Sequence, residues 1–230
     1  MHEFRFFEIW REPEYVERLL TGVFTSFWLT VLSSMLGFMV ALGLAVSRRS
    51  QNKALSFPAA TYVEVVRNTP LIVQLFFVAF GLPMLLNYRW PFELSALLAL
   101  SLNFSAYYSE IIRAGLDNLD IGQKESATAL GLSKVQGFVL VVLPQSLSQV
   151  YPSLVSQFIF LFLTTGIISE IGIEELTWSG RFIADRTFRD FEVYLVLTAC
   201  YVLLAMLFRF FFVFFGNRLF PWKKFEEQTS

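Results

Sequence analysis

Residues 19–47 contain no Asp, Glu, Lys or Arg. A bilayer core is crossed by about 20 apolar residues in a helix. Inside it, every backbone N–H and C=O has to be satisfied within the protein. The uncharged run therefore reads as a membrane-spanning helix. Arg48, Arg49 and Lys53 follow directly. Basic residues gather on the cytoplasmic side of a span, so the N-terminus is expected outside. The composition agrees, since 55% of the 230 residues are hydrophobic and 27 are Phe, too apolar for an ordinary soluble domain.

The same argument applied along the chain predicts an all-α polytopic membrane protein. It has one domain, 1–230, and five transmembrane helices at about 19–47, 58–82, 92–112, 152–168 and 191–215. Residues 1–18 mix charge with Phe4, Phe6, Phe7, Ile9 and Trp10, a pattern for a segment lying on the membrane surface. Residues 135–169 are uncharged but longer than one span needs, and Pro144 and Pro152 divide them. Proline lacks an N–H and breaks helix interiors, so the fourth span is placed after Pro152 and 136–147 is read as a separate helix. The segment 170–192 is acidic and expected outside, with Trp178 as a surface aromatic. Arg209 is expected near the inner end of the fifth span. Arg218, Lys223 and Lys224 then mark the cytoplasm, which puts the C-terminus inside.

Several function classes drop out. A net charge of −1 gives no case for nucleic acid. One cysteine, Cys200, and one histidine, His2, leave no zinc cluster and no His-based triad. No GxxxxGK phosphate loop is present, so neither ATP binding nor any other cofactor is expected of this chain. An intramembrane enzyme would need a lysine, a histidine or paired carboxylates inside the spans, and the spans offer only boundary carboxylates.

The most specific run is 123–144. It reads Glu125-Ser126-Ala127, three residues, Gly131, nine residues, Val141, one residue, Leu143-Pro144. Residues 125–130 favour helix, Gly131 suits the left-handed geometry of a helix stop, and Ser133 can cap a second helix. The hairpin would offer a small-residue face of Ser126, Ala127 and Ala129. The spacing resembles the EAA loop of importer-type ATP-binding-cassette (ABC) permeases, with Ser126 and Val141 as conservative departures. Two further runs narrow the resemblance. Glu64-Val65-Val66-Arg67-Asn68-Thr69-Pro70-Leu71-Ile72-Val73-Gln74 and Tyr107-Tyr108-Ser109-Glu110-Ile111-Ile112-Arg113-Ala114-Gly115 are similar to runs in permeases of the polar amino-acid uptake family, which includes histidine-, glutamine-, arginine- and glutamate-type permeases.

The resemblance implies a type I ABC importer permease fold in the bacterial inner membrane, with a cytoplasmic coupling loop at about 113–144. It implies an ABC ATPase dimer that binds the ATP, a second permease subunit, identical or paralogous, and a soluble substrate-binding protein delivering a polar amino acid. The residues expected to couple to the ATPase are Gly122, Gln123, Glu125, Ser126, Ala127 and Gly131. Uncharged or pairable polar groups inside the spans give a candidate substrate path: Thr69, Gln74, Asn103, Tyr107, Glu110 and Gln157. Pro70 frees the carbonyl of residue 66 and disturbs the helix there, and broken helices at membrane depth are where transporters build binding sites. Glu110 and Arg113, three apart, are expected to pair on one helix face. The family's K-D-T-S-like run after the fourth span is replaced here by Leu163-Thr164-Thr165-Gly166, so no substrate role is carried over to it. An opine or compatible solute is the alternative cargo. An ion-driven carrier or channel is the alternative of another class, and it leaves the EAA spacing unexplained.

Overall fold

The structure, a computed structural model, describes residues 4–223. His2 and Lys224, which entered the sequence reading, lie outside the described residues. Among the described residues there are helices and turns and no strand. Helix α1 is Phe7–Arg11, α2 Pro13–Arg48, α3 Lys53–Arg67, α4 Leu71–Phe76 and α5 Leu82–Leu86. Then come α6 Phe92–Asp117, α7 Ile121–Ala129, α8 Lys134–Gly137, α9 Leu143–Thr164, α10 Leu176–Thr187 and α11 Asp190–Leu219.

Helix α6 is the centre, packed by α2, α3, α4 and α9. Helix α2 buries a stripe of small residues, Gly22 and Ser26 against Glu175 and α10, then Thr30, Ser33, Ser34, Gly37, Ala41 and Ala45. Gly37 meets α6 most closely, where an added Cβ would fall 3.0 Å from the Ser101 carbonyl oxygen. Lipid tails are as apolar as Leu, so helices in a membrane associate by close backbone approach, and small residues permit it. Large apolar side chains point outward instead: Phe210, Phe211, Phe214 and Phe215 of α11 are exposed. Three helical segments, Pro13–Arg48, Lys134–Ile171 and Asp190–Leu219, are long and apolar enough to cross a membrane, and α3 with α4–α5 makes a fourth if counted as one bent span. Helix α6 is not among them, because its polar residues lower its hydropathy. It sits where its neighbours cover those residues.

Two expectations about helix breaks change. The stretch 58–82 is not one straight helix: α3 and α4 meet at 108° across Asn68-Thr69-Pro70. Conversely, Pro152 does not break its helix, and α9 runs through it. Pro152 leaves the carbonyl of Ser148 without its helical partner, and Nζ of Lys223 donates to that carbonyl at 2.9 Å. Pro144 and Pro83 are absorbed in a common way. Each stands at the first turn of a helix that follows one π-helical turn, Phe138–Val142 before α9 and Phe77–Gly81 before α5. A π turn shifts the bonding register locally and re-satisfies carbonyls near a proline. Residues 134–171 therefore form one continuous helical element rather than two.

At the opposite end, α1, α10 and the first turns of α2 and α11 share a small core of Ile9, Tyr15, Leu19, Leu176, Ile183, Ala184, Val193 and Leu197. The segment before α2 thus has an inward face, Ile9, besides the exposed Phe4, Phe7 and Trp10. Gly22 makes the packing possible: a Cβ there would fall 2.9 Å from the Glu175 carbonyl oxygen. Glu175 is fully buried and caps α10, Oε1 accepting from the Trp178 amide at 2.8 Å. Its Oε2 accepts from Ser26 Oγ at 3.2 Å and from the Tyr201 hydroxyl at 3.1 Å, joining α2, α10 and α11. Burial pushes the Glu175 carboxyl above its ordinary range, against the opposing effect of these donors. A carboxyl whose folded-state pKa is raised contributes stability below its unfolded value, about 4.3, and loses it as pH rises through the folded value. Glu175→Gln is therefore expected to flatten the decline in thermal midpoint of the detergent-solubilised protein as pH rises above about 4.3. Parallel wild-type and variant curves would refute the assignment.

Candidate coupling and translocation site

The loop after α6 folds into a compact hairpin. Asp120 caps α7 with Oδ1 accepting from the Gly122 amide at 3.0 Å. The helix stops at Leu130 because Gly131 adopts φ +76°, the left-handed region, with nothing within 4 Å of a Cβ built there. Ser133 caps α8 through a reciprocal pair: its hydroxyl accepts from the Gln136 amide, and Gln136 Oε1 accepts from the Ser133 amide at 3.0 Å. Ala127 is buried with its Cβ against Gly137, where an added Cβ would sit 3.5 Å away. This corrects the expected small-residue docking face: Ala127 closes the hairpin from within. The free surface holds Gln123, Glu125, Ser126, Ile121, Leu130 and Val135, with Leu130 78% exposed. Gly122 is half-buried at the first turn. Gln123 Oε1 accepts from Gln145 Nε2 at 2.9 Å, so the hairpin is tied to the base of α9. Sequence spacing marked the turn and the caps; the exposed Ile121, Leu130 and Val135 are the added finding, legible as large apolar residues in an otherwise polar loop.

Five of the six candidate path residues come together at the α3–α4 bend. Pro70 strands the Val66 carbonyl, and Gln74 Nε2 donates to it at 2.8 Å. The same amide donates to Thr69 Oγ1 at 2.6 Å, while Gln74 Oε1 accepts from the buried Asn103 Nδ2 at 2.8 Å. Thr69, Gln74 and Asn103 are thus one hydrogen-bonded unit that holds the bend against α6. Below it, Arg67 lies over the Tyr107 ring with its guanidinium carbon 5.6 Å from the ring centroid, and pairs with Glu110 at 3.7 Å. Gln157 stands apart on α9. Its Nε2 is buried without a hydrogen-bond partner among the described residues. Replacing Gln74 by Leu leaves Asn103 Nδ2 without its acceptor, at about 1–3 kcal/mol, and the Val66 carbonyl with only the Thr69 hydroxyl at 3.3 Å. The expected result is a thermal midpoint lowered by several degrees in detergent. An unchanged midpoint would show that the bend does not depend on Gln74.

Glu110 is more than half of an ion pair. Besides Arg113 at 2.9 Å, it meets Arg48 from the end of α2 and Arg67 from the end of α3. Arg113 continues to Asp117 at 2.7 Å, and Arg49 reaches Asp117 at 3.3 Å. Two carboxylates thus gather four arginines where α2, α3 and α6 converge. The sequence showed the three-residue spacing of Glu110 and Arg113. It could not show Arg48 and Arg67, which arrive from other helices.

The run Leu163-Thr164-Thr165-Gly166 is where α9 tightens into a 3-10 turn, Thr165–Ile171. Both threonine hydroxyls donate to carbonyls of their own helix, Thr164 to Leu161 at 2.8 Å and Thr165 to Phe162 at 2.7 Å. A Cβ on Gly166 would fall 2.7 Å from Thr177 Oγ1. The run packs the start of the α10 region. Trp178 stacks on Phe182 with centroids 5.4 Å apart, and Arg18 lies over both rings.

Residues 19–221 match the family described as binding-protein-dependent transport system inner membrane component. The chain is 31% identical over 192 residues to the putative glutamine transport system permease protein GlnP of Rickettsia typhi, covering 84% of this chain and 88% of that protein. It is 35% identical over 194 residues to the octopine transport system permease protein OccM of Rhizobium radiobacter, covering 81% and 79%. Among solved structures it superposes on a chain from an amino acid ABC transporter crystallised with histidines at a TM-score of 0.83, with 31% identity over 94% of this chain and 100% of that one. A chain of the MetNI methionine ABC transporter gives a TM-score of 0.76 at 18% identity, a likeness of fold, over 90% of this chain and 99% of that one.

Proposed function

The chain belongs to the family of binding-protein-dependent transport system inner membrane components, and from that premise we propose how its parts work. It is a multi-pass inner-membrane protein, the permease subunit of an ABC importer for amino acids, and not itself an enzyme. The observation that carries the mechanism is the hairpin α7–α8: a rigid, capped turn with exposed Ile121, Leu130 and Val135, joined to α9 through Gln123 and Gln145. Two ATPase subunits dock on two such hairpins, one from each of two permease subunits, and bind and hydrolyse the ATP. No cofactor is held by this chain. A soluble binding protein delivers the cargo at the α10 end, which faces outward, so the N-terminus lies outside and the C-terminus in the cytoplasm. ATP-driven approach of the ATPases moves the hairpins as rigid bodies. Helix α6, joined to α7 by the short turn 118–120, passes the motion to the α3–α4 bend, where Thr69, Gln74, Asn103, Tyr107 and Glu110 border the path.

The cargo is a polar amino acid. The octopine relative supports an opine as a second reading. Purification of the chain from its native membrane in mild detergent, with every co-purifying protein identified and counted, tests the assembly. The expected result is one ATPase per permease, and either this chain alone or this chain with a paralogue. Recovery of the chain without any ATPase in several mild detergents would overturn the docking claim.

A further inference from the structure

Arg209 is a charged residue inside α11 and pairs with no carboxylate among the described residues. It stands ten residues before Leu219, about 15 Å along the helix from that end. Its neighbour Phe208 packs on Phe158 of α9 at 5.0 Å and on Phe27 of α2 at 5.6 Å, which fixes this depth in the bundle. A charged side chain so far from a helix end is costly in a membrane and faces a partner or water. Two cavities meet at Arg209. One, of about 610 Å³, opens towards Tyr194, Thr198 and Tyr201; the other, of about 390 Å³, runs towards Ser156, Asn217 and Lys223. Together they form an open trough along the α9–α11 face, walled by Ile159 and Val213, with Arg209 at its middle and Lys223 at one end.

We propose that Arg209 takes the α-carboxylate of the transported amino acid in this trough, a contact on the α9–α11 face additional to the polar unit at the α3–α4 bend. The inference rests on the importer reading above and deepens it by naming a cargo-contacting group. A guanidinium matches a carboxylate with two parallel hydrogen bonds. Every cargo of an amino-acid importer carries that carboxylate, whatever its side chain. The Ser156 hydroxyl already donates to the Pro152 carbonyl at 3.0 Å, so charge rather than hydroxyl donation is what the trough offers. The passing carboxylate is held weakly enough to leave, because the site is open on both sides.

The test uses the complete transporter in proteoliposomes. Arg209→Met is expected to lower uptake of L-glutamine or L-arginine, whichever the wild-type complex carries, by at least about ten-fold, the size of one charge-assisted hydrogen bond. Arg209→Lys should keep uptake within about three-fold. Val213→Cys, one turn from Arg209 on the trough wall, in a Cys200→Ser background leaves Arg209 in place and supplies a contact readout that does not need transport. A cationic methanethiosulfonate reagent should label the introduced thiol, and the free amino acid should slow labelling while its carboxamide should not. Wild-type uptake by Arg209→Met overturns the proposal. So does an introduced thiol that is never labelled, or one that the amino acid does not protect, the result expected if a lipid head group or a second subunit's carboxylate neutralises Arg209. If the wild-type complex moves neither amino acid nor opine, the importer reading fails instead.

Discussion

Leu130→Asp is expected to abolish ATP-driven uptake while leaving the protein folded and inserted. Leu130 is 78% exposed at the end of α7, and its side chain joins none of the hydrophobic clusters of the bundle. An aspartate there costs the folded chain little, since surface substitutions usually stay within about 0.5 kcal/mol. It would, however, bury a carboxylate in any interface that the hairpin makes. A buried unpaired charge costs several kcal/mol, and about 4 kcal/mol weakens association about a thousand-fold. Gly131→Asp acts at the same place by a second route, because φ +76° is unfavourable for a side chain although space is free. The measurement is ATPase activity and uptake in proteoliposomes beside the thermal midpoint of the isolated permease. The expected pattern is an unchanged midpoint for Leu130→Asp, ATPase activity no longer stimulated by cargo-loaded binding protein, and no uptake. Uptake at the wild-type rate by both variants would place the docking surface elsewhere.

Why this hairpin could be read from sequence, and other parts could not, follows from what each depends on. Caps and turns are local: Ser133 with Gln136, and Gly131 in its left-handed conformation, are set by residues within three or four positions of each other. The uncharged run of α2 is local in the same sense. Helix breaks are not. Pro70 and Pro152 pose the same backbone problem, one freed carbonyl each. At Pro70 the partner, Gln74, lies on the far side of a 108° bend. At Pro152 it is Lys223, which arrives from the end of the chain and lets the helix run on. No periodicity argument distinguishes these outcomes, because the answer sits in the third dimension. The arginines around Glu110 and the buried Glu175 were hidden for the same reason. The small residues of α2 recur every three to four positions, but their neighbours, α10 at Gly22 and α6 at Gly37, are set by the packing.

Glu110→Ala carries the second large expected effect. It removes the one carboxylate shared by Arg48, Arg67 and Arg113, which come from the ends of α2, α3 and α6. Removing one partner of a buried ion pair costs about 3–5 kcal/mol. The lower end applies here because the Arg67 and Arg113 side chains are 38% and 35% exposed and solvent screens them. The loss is not only of attraction. Three guanidinium groups are left facing each other, with Asp117 still occupied by Arg49 and Arg113. The thermal midpoint should fall by several degrees and uptake should drop with it. Glu110→Gln keeps the shape and loses the charge, so it separates repulsion from packing. If it is as damaging as Ala, the charge is what holds the three helix ends. Arg67→Met added to Glu110→Ala should then recover part of the stability by relieving repulsion, a coupling that a double-mutant cycle measures directly. Arg67 is the last residue before the bend, and α6 leads through Asp120 into the hairpin. The cluster is therefore the joint between the surface proposed to meet the ATPase and the polar unit at Gln74. If Glu110→Ala matched the wild type in both midpoint and uptake, the motion would have to pass from hairpin to bend by another route, with the Gln123–Gln145 contact to α9 as the remaining physical link.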